Sequence, residues 1–179
     1  VVAMLAYSYL AGREFFLGEA LRRRFFLYNG INLVQMFLMQ IFVYAVFAGS
    51  AFLTPLVLGH FVFTDAGTLV FEFVRKLKLP GGDGTGRDTY TAHLGFLPAL
   101  VGYLALAVLT VALYARLASM MVTLDAMLML IIAVAVLSVV ASVMVHARSR
   151  SIRTDAILQL TFVGVYAVLN LWRYAIAHY

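Results

Sequence analysis

Long apolar runs separated by short polar segments organise this chain, and the lengths of those runs set the expected elements. Residues 1–21 are apolar with a charged carboxyl end and read as the stub of a first membrane helix or as an interfacial one. Residues 31–63 form a second apolar stretch containing Pro55 and Gly59. At about 20 residues per crossing it allows one generous span or a bent hairpin, with Pro55 as the natural break. Residues 68–79, TLVFEFVRKLKL, mix apolar and charged positions and end in a basic group, which predicts a helix lying in the membrane interface. Residues 80–93, PGGDGTGRDTYTAH, carry four glycines and a proline and predict a solvent-exposed loop without regular structure.

The pattern then changes. Past Pro98 there is no proline, and between Gly102 and Gly164 there is no glycine. Without a breaker, residues from about 96 to 145 are expected to form steeply tilted helix in place of two upright spans. Fifty residues of helix would measure on the order of 75 Å at about 1.5 Å each, against a hydrocarbon core of about 30 Å. The alternative is a turn without a turn signal. The basic linker HARSRSIR, residues 146–153, ends this stretch, and Thr154 is a candidate cap for a last helix running to about residue 177. The expected organisation is a single membrane domain over residues 1–179. It comprises an amino-terminal helix and basic segment (1–30), an apolar hairpin with an interfacial helix (31–79), the glycine-rich loop (80–93) and tilted helices (94–179). The fold class is all-α and polytopic, with about five to six helical segments including a long, steeply tilted helix pair at the carboxyl end.

Composition sharpens the class. Of 179 residues 64% are hydrophobic and only 12% charged, with a mean hydropathy of +0.98. A soluble domain this small could not hide so much apolar surface. The 13 Lys and Arg against 8 Asp and Glu give a net charge of +5. These cations cluster at Arg22–Arg24, at Arg75, Lys76 and Lys78, and at Arg148, Arg150 and Arg153, each flanking an apolar stretch. Such placement fits helix-end anchoring and contact with membrane lipid, cardiolipin included, and argues against nucleic acid as a partner. Cysteine is absent, which excludes disulfides, thiolate metal sites and cysteine nucleophiles. The chain opens on Val1 and carries Arg13, Glu14 and Glu19 in its first twenty residues, which does not fit a cleavable signal peptide; a processed or incomplete amino terminus is expected.

Two ionisable residues, Arg116 and Asp125, fall inside the longest apolar run. A charge deep in a membrane segment is expensive and by default marks an ion or proton path; the bland alternatives are snorkelling, or a hidden turn between two shorter helices that would put Arg116 near an interface. On one continuous helix, nine residues of separation would send the two side chains to opposite sides, about 13 Å apart along the axis, too far for an intrahelical ion pair.

The run ALYARLASMMVTLDAML, residues 112–128, resembles the penultimate helix of subunit a of F-type ATP synthases, with Arg116-Leu117 and a polar residue, Asp125, nine positions on. FVRKLKLPGGDGTG followed by FLPALVG is similar to the mitochondrial pattern of interfacial helix, Leu-Pro loop and entry into the arginine helix. AFLTPLVLGHFVF resembles the preceding hairpin, and the segment from Thr154, with Asp155 near its start, the last helix. The resemblance covers about residues 45–179. Met120 stands where a polar residue is usual, and Gln159 lies one turn before the expected glutamine.

The resemblance implies a stator that forms two proton half-channels against a rotor c-ring and couples proton flow to rotation, with nucleotide chemistry left to a separate soluble head. Arg116 would be the barrier facing the ring carboxylate, since a guanidinium keeps its proton. Asp125, Asp155, Gln159, His146, Ser119 and Tyr166 would line the proton path, with Thr123 and Asn170 as further polar residues for it, and Ala112, Ala115 and Ser119 would permit close approach of the ring. Peripheral-stalk and other membrane-sector subunits are the further expected partners, the mitochondrial inner membrane the expected location, with a bacterial plasma membrane as alternative. No cofactor or metal is expected. Two other readings stand beside it: a non-catalytic accessory subunit of a respiratory complex, and a cytochrome whose haem would use axial ligands from His60, His93, His146 and His178.

Overall fold

A computed structural model describes residues 2–13, 24–48, 54–79, 89–122 and 125–178. Every regular element among them is helical: α1 (Val2–Gly12), α2 (Phe25–Ala48), α3 (Pro55–Arg75), α4 (Tyr90–Leu94), α5 (Phe96–Ser119), α6 (Ala126–Ser149) and α7 (Ile152–His178). Of these α2, α3, α5, α6 and α7 are long and apolar enough to cross a membrane. The protein is an all-α, multi-pass membrane protein.

Contacts divide the chain into two compact units, Val1–Phe61 and Val62–Tyr179, the boundary falling within α3. In the first unit the Tyr7 hydroxyl of α1 donates to the Ile31 carbonyl of α2. Phe37 and Tyr44 of α2 meet Phe61 edge-on at 6.2 and 5.8 Å between centroids. Only Phe25 and Asn29 of α2 are buried, and Phe47 is 86% exposed. Such a surface is stable only where lipid or another apolar surface replaces water.

The break foreseen at Pro55 is present. Proline fits the first turn of α3 because its missing N–H would have no intrahelical acceptor there, and the Thr54 hydroxyl accepts the Val57 N–H at 3.3 Å. Residues 68–75, however, continue α3 and do not form a separate interfacial helix. Gly67 does not end the helix: a Cβ at that position would clash with the Tyr166 ring, so the glycine lets α7 approach closely. The charges of this segment come only at the end of the helix, where Arg75 pairs with Glu72 at 2.7 Å.

Of the glycine-rich segment, residues 80–88 lie outside the described residues. Its last part is not loop, since residues 90–94 form α4. Thr89 caps it by accepting the Ala92 N–H at 3.2 Å. The Tyr90 ring stacks on Phe73 at 3.8 Å, and its N–H donates to the Lys76 carbonyl at 3.1 Å.

The largest departure concerns residues 96–145, which fold into two helices instead of one. Helices α5 and α6 form an antiparallel hairpin. At its open end the Phe96 ring lies 5.5 Å from that of His146, with the Arg150 guanidinium 4.9 Å above the same ring. At its closed end Val111, Tyr114, Leu117 and Ala118 share one buried cluster with Leu128 and Ala135. The stop uses neither glycine nor proline. The N–H groups of Met120 and Met121 reach back three residues to Leu117 and Ala118, tightening the last turn of α5. The Asp125 carboxylate then accepts the Leu128 N–H at 2.7 Å and caps α6. The chain thus reverses between Ser119 and Ala126 without a glycine or proline.

At the far end of α6, Arg150 adopts a left-handed conformation (φ 44°) and its N–H closes on the His146 carbonyl at 3.0 Å. Helix α7 follows after a single residue. Its cap is Ser151, whose hydroxyl accepts the Thr154 N–H at 3.3 Å, and Thr154 lies inside the first turn instead of capping it.

The hairpin has a direct test because the chain contains no cysteine. With Phe96→Cys and Arg150→Cys introduced together, a short bismaleimide is expected to join the two positions within one chain. A continuous helix would hold them on the order of 75 Å apart, so failure to crosslink in the folded protein would contradict the turn.

Candidate functional site

The residues singled out by sequence fall at the two ends of the α5/α6 hairpin. Phe96 and Arg116 are twenty residues apart on α5, about 30 Å at about 1.5 Å per residue, close to the thickness of a hydrocarbon core.

At the closed end, Arg116 occupies the last turn of α5. The chain reverses directly after it, so it lies near a helix end and not in the middle of a long apolar run. Its side chain is exposed, and its guanidinium reaches the Ser119 hydroxyl at 3.4 Å while that hydroxyl donates to the Arg116 carbonyl at 2.7 Å. Among the described residues no carboxylate forms an ion pair with it. Around it Ala112 is exposed and Ala115 and Ser119 half-exposed, which leaves an outward face of small residues. Asp125 is exposed at the start of α6 with one carboxylate oxygen committed to the cap. Arg116 and Asp125 therefore belong to two helices, and the opposite-sided geometry expected for a single helix does not apply.

The open end gathers His146 and Asp155, and adds residues that sequence reasoning did not assign to the site. His146 is fully buried, and its Nδ1 shares a hydrogen bond of 3.0 Å with the Thr154 hydroxyl. Asp155 is 7% exposed and takes one hydrogen bond of 3.3 Å from Lys78 Nζ. The Lys78 carbonyl in turn accepts the Thr91 hydroxyl. His146 Nε2 and Asp155 Oδ1 are buried without a hydrogen-bond partner. Buried polar atoms of this kind ordinarily find a partner, most simply an ordered water. The sequence signal for Lys78 was weak: a basic residue 77 positions before Asp155 becomes its partner only through the packing of the unit.

The remaining candidates lie along α7. Gln159 is half-buried one turn past Asp155. Tyr166 is half-buried mid-helix, its ring 5.2 Å from Phe63 and 5.9 Å from Phe162, so it packs as an aromatic member of the core. Asn170 donates to the Tyr166 carbonyl at 2.8 Å. Thr123 lies outside the described residues. Among the described residues no three His, Asp or Glu side chains assemble as a metal-holding group.

Compared with known proteins, the chain matches no family model, no curated protein and no solved structure.

The buried end predicts a graded stability response. Thr154→Val removes the hydroxyl shared by His146 and Ser151 while keeping side-chain volume, and is expected to destabilise the protein by about 1–3 kcal/mol, the cost of stranding buried polar partners. Thr154→Ser should retain most of the wild-type stability. Thermal unfolding in detergent checks this, and equal losses for Val and Ser would show that the hydroxyl is not what matters.

Proposed function

We propose that the chain is a stator subunit of a rotary, proton-translocating ATPase membrane sector, similar to subunit a of F-type ATP synthases. The observation that carries the reading is the Arg116 guanidinium, exposed on a small-residue face, bonded to Ser119 and to no acid among the described residues. A fixed cation of this kind suits attraction of an anion on a partner surface. Ala112, Ala115 and Ser119 allow a partner helix to come near.

In this reading the partner is a ring of small subunits, each with a membrane carboxylate. Such a carboxylate crosses lipid in its neutral form, because the charged form is costly there. Near Arg116 the charged form becomes favourable, so the ring acid releases its proton before passing. The guanidinium itself keeps its proton throughout. Asp155 and His146, about 30 Å away along the hairpin, provide acid and base groups for proton access at the other end, with Gln159 the next polar group along α7. Asp125 and Ser119 are the polar groups beside Arg116. The mitochondrial inner membrane is the location this reading favours, on the resemblance of the segments that precede α5.

A second reading rests on the place of Arg116 within α5. In the last helical turn a cation is favourable toward the helix carboxyl end and can reach lipid headgroups, as an anchor in a non-catalytic accessory subunit would.

The two readings separate on ATP-driven proton pumping in vesicles reconstituted with the assembled complex. Under the stator reading Arg116→Ala lowers pumping by about a hundredfold or more, the scale of losing one preorganised electrostatic contact, and assembly persists. Asp125→Asn and Asp155→Asn slow pumping far less, since water can reroute a proton. Full coupled activity in Arg116→Ala would leave the accessory-subunit reading.

A further inference from the structure

Helices α6 and α7 enclose an apolar groove of about 440 Å³, lined among others by Val134, Ser138, Leu160, Gly164 and Val168. Leu160 is 69% exposed, and a Cβ built on Gly164 meets nothing within 4 Å, so the groove is open to whatever surrounds the unit. Both walls can be followed toward the α6–α7 junction by helical periodicity. On α6 the stripe from Val134 and Ser138 continues through Ala141 and Val145, both exposed, to Arg148. On α7 the stripe from Val168, Gly164 and Leu160 continues through exposed Ile157 to Arg153. Steps of three and four residues keep each set on one face. Each apolar wall therefore ends in an exposed arginine, and neither has an acidic partner among the described residues.

The axial distances match a lipid. From Arg148 to Ser138 and Val134 is about 15 and 21 Å, and from Arg153 to Gly164 and Val168 about 16 and 22 Å, at about 1.5 Å per residue. Half a bilayer, headgroup region included, is about 20–22 Å, and arginine side chains extend toward the headgroups. The groove thus lies at the depth of the acyl-chain ends when the arginines lie at the depth of phosphates. Arginine binds phosphate in a bidentate, charge-assisted manner. The third cation of this end, Arg150, lies over the Phe96 ring and belongs to neither stripe.

We propose that the α6–α7 face is a binding site for one anionic phospholipid, with its phosphate held between Arg148 and Arg153 and an acyl chain laid in the groove beside Gly164. The site is independent of Arg116 and of the proton-transport reading.

The full chain, reconstituted in phosphatidylcholine containing a minor fraction of phosphatidylglycerol and then extracted in mild detergent, is examined by native mass spectrometry. The wild-type protein is expected to retain one phosphatidylglycerol. Arg148→Gln with Arg153→Gln lowers that retention by about tenfold, equivalent to about 1.4 kcal/mol. Gly164→Leu, which fills the groove and leaves the charges intact, lowers it comparably, and Ser138→Leu does so from the opposite wall. Arg150→Gln leaves it unchanged. Undiminished retention in the arginine pair, or in both groove-filling variants with native helicity, overturns the site. Displacement of the lipid by millimolar inorganic phosphate overturns it as well, because the arginines would then be a headgroup anion site without a seated tail.

Discussion

The hydrogen bond from the Leu128 N–H to the Asp125 carboxylate marks the point on which the larger unit depends. About fifty nearly uninterrupted apolar residues cannot lie straight across a core of about 30 Å. The capped start of α6 divides them into two lengths that each fit it. Once the chain reverses there, Phe96 comes to His146, the α6–α7 junction comes to the end of α3, and every other polar meeting of the unit follows. Asp125, a proton-path candidate by resemblance, thus has a plain structural task as well. One cap of this type contributes about 1 kcal/mol, and the buried cluster of Tyr114, Leu117, Leu128 and Leu169 supplies the larger part of the closure.

Much of the architecture was legible in the chain. Hydropathy alone separates this protein from soluble domains, Pro55 announces the start of α3, and the helix order is as expected. The turn after Ser119 contains neither glycine nor proline, so no breaker announces it. Its signal is an aspartate that caps the next helix, and among such apolar neighbours an aspartate resembles a buried charge. Residues 68–75 mislead in the opposite way. Their charges resembled an interfacial helix, yet their backbone simply continues from Pro55, and Gly67 is explained only by Tyr166 from a distant helix. The same holds at the open end. His146 and Asp155 were visible as titratable residues, but Lys78 and Thr154 join them only by folding.

The two ends of the hairpin differ in character. The open end is closed to solvent, with His146 fully buried and Asp155 nearly so; each makes one hydrogen bond within the cluster and keeps one buried polar atom without a partner. The closed end is bare, with a guanidinium that looks outward across alanines. Internal pairing and burial account for the placement of the first. The second is the arrangement that calls for a partner, which is why the functional reading rests on Arg116 and not on the more elaborate cluster.

What the Arg116 face touches decides between a stator and an anchor. Because the chain lacks cysteine, Ser119→Cys offers a single attachment point one turn from Arg116 for a short photo-crosslinker in native membranes. The result expected is an adduct with a small hairpin subunit, present in many copies, whose crosslinked peptide carries a membrane carboxylate. Adducts confined to lipid, or to a partner without such a carboxylate, would contradict the stator reading.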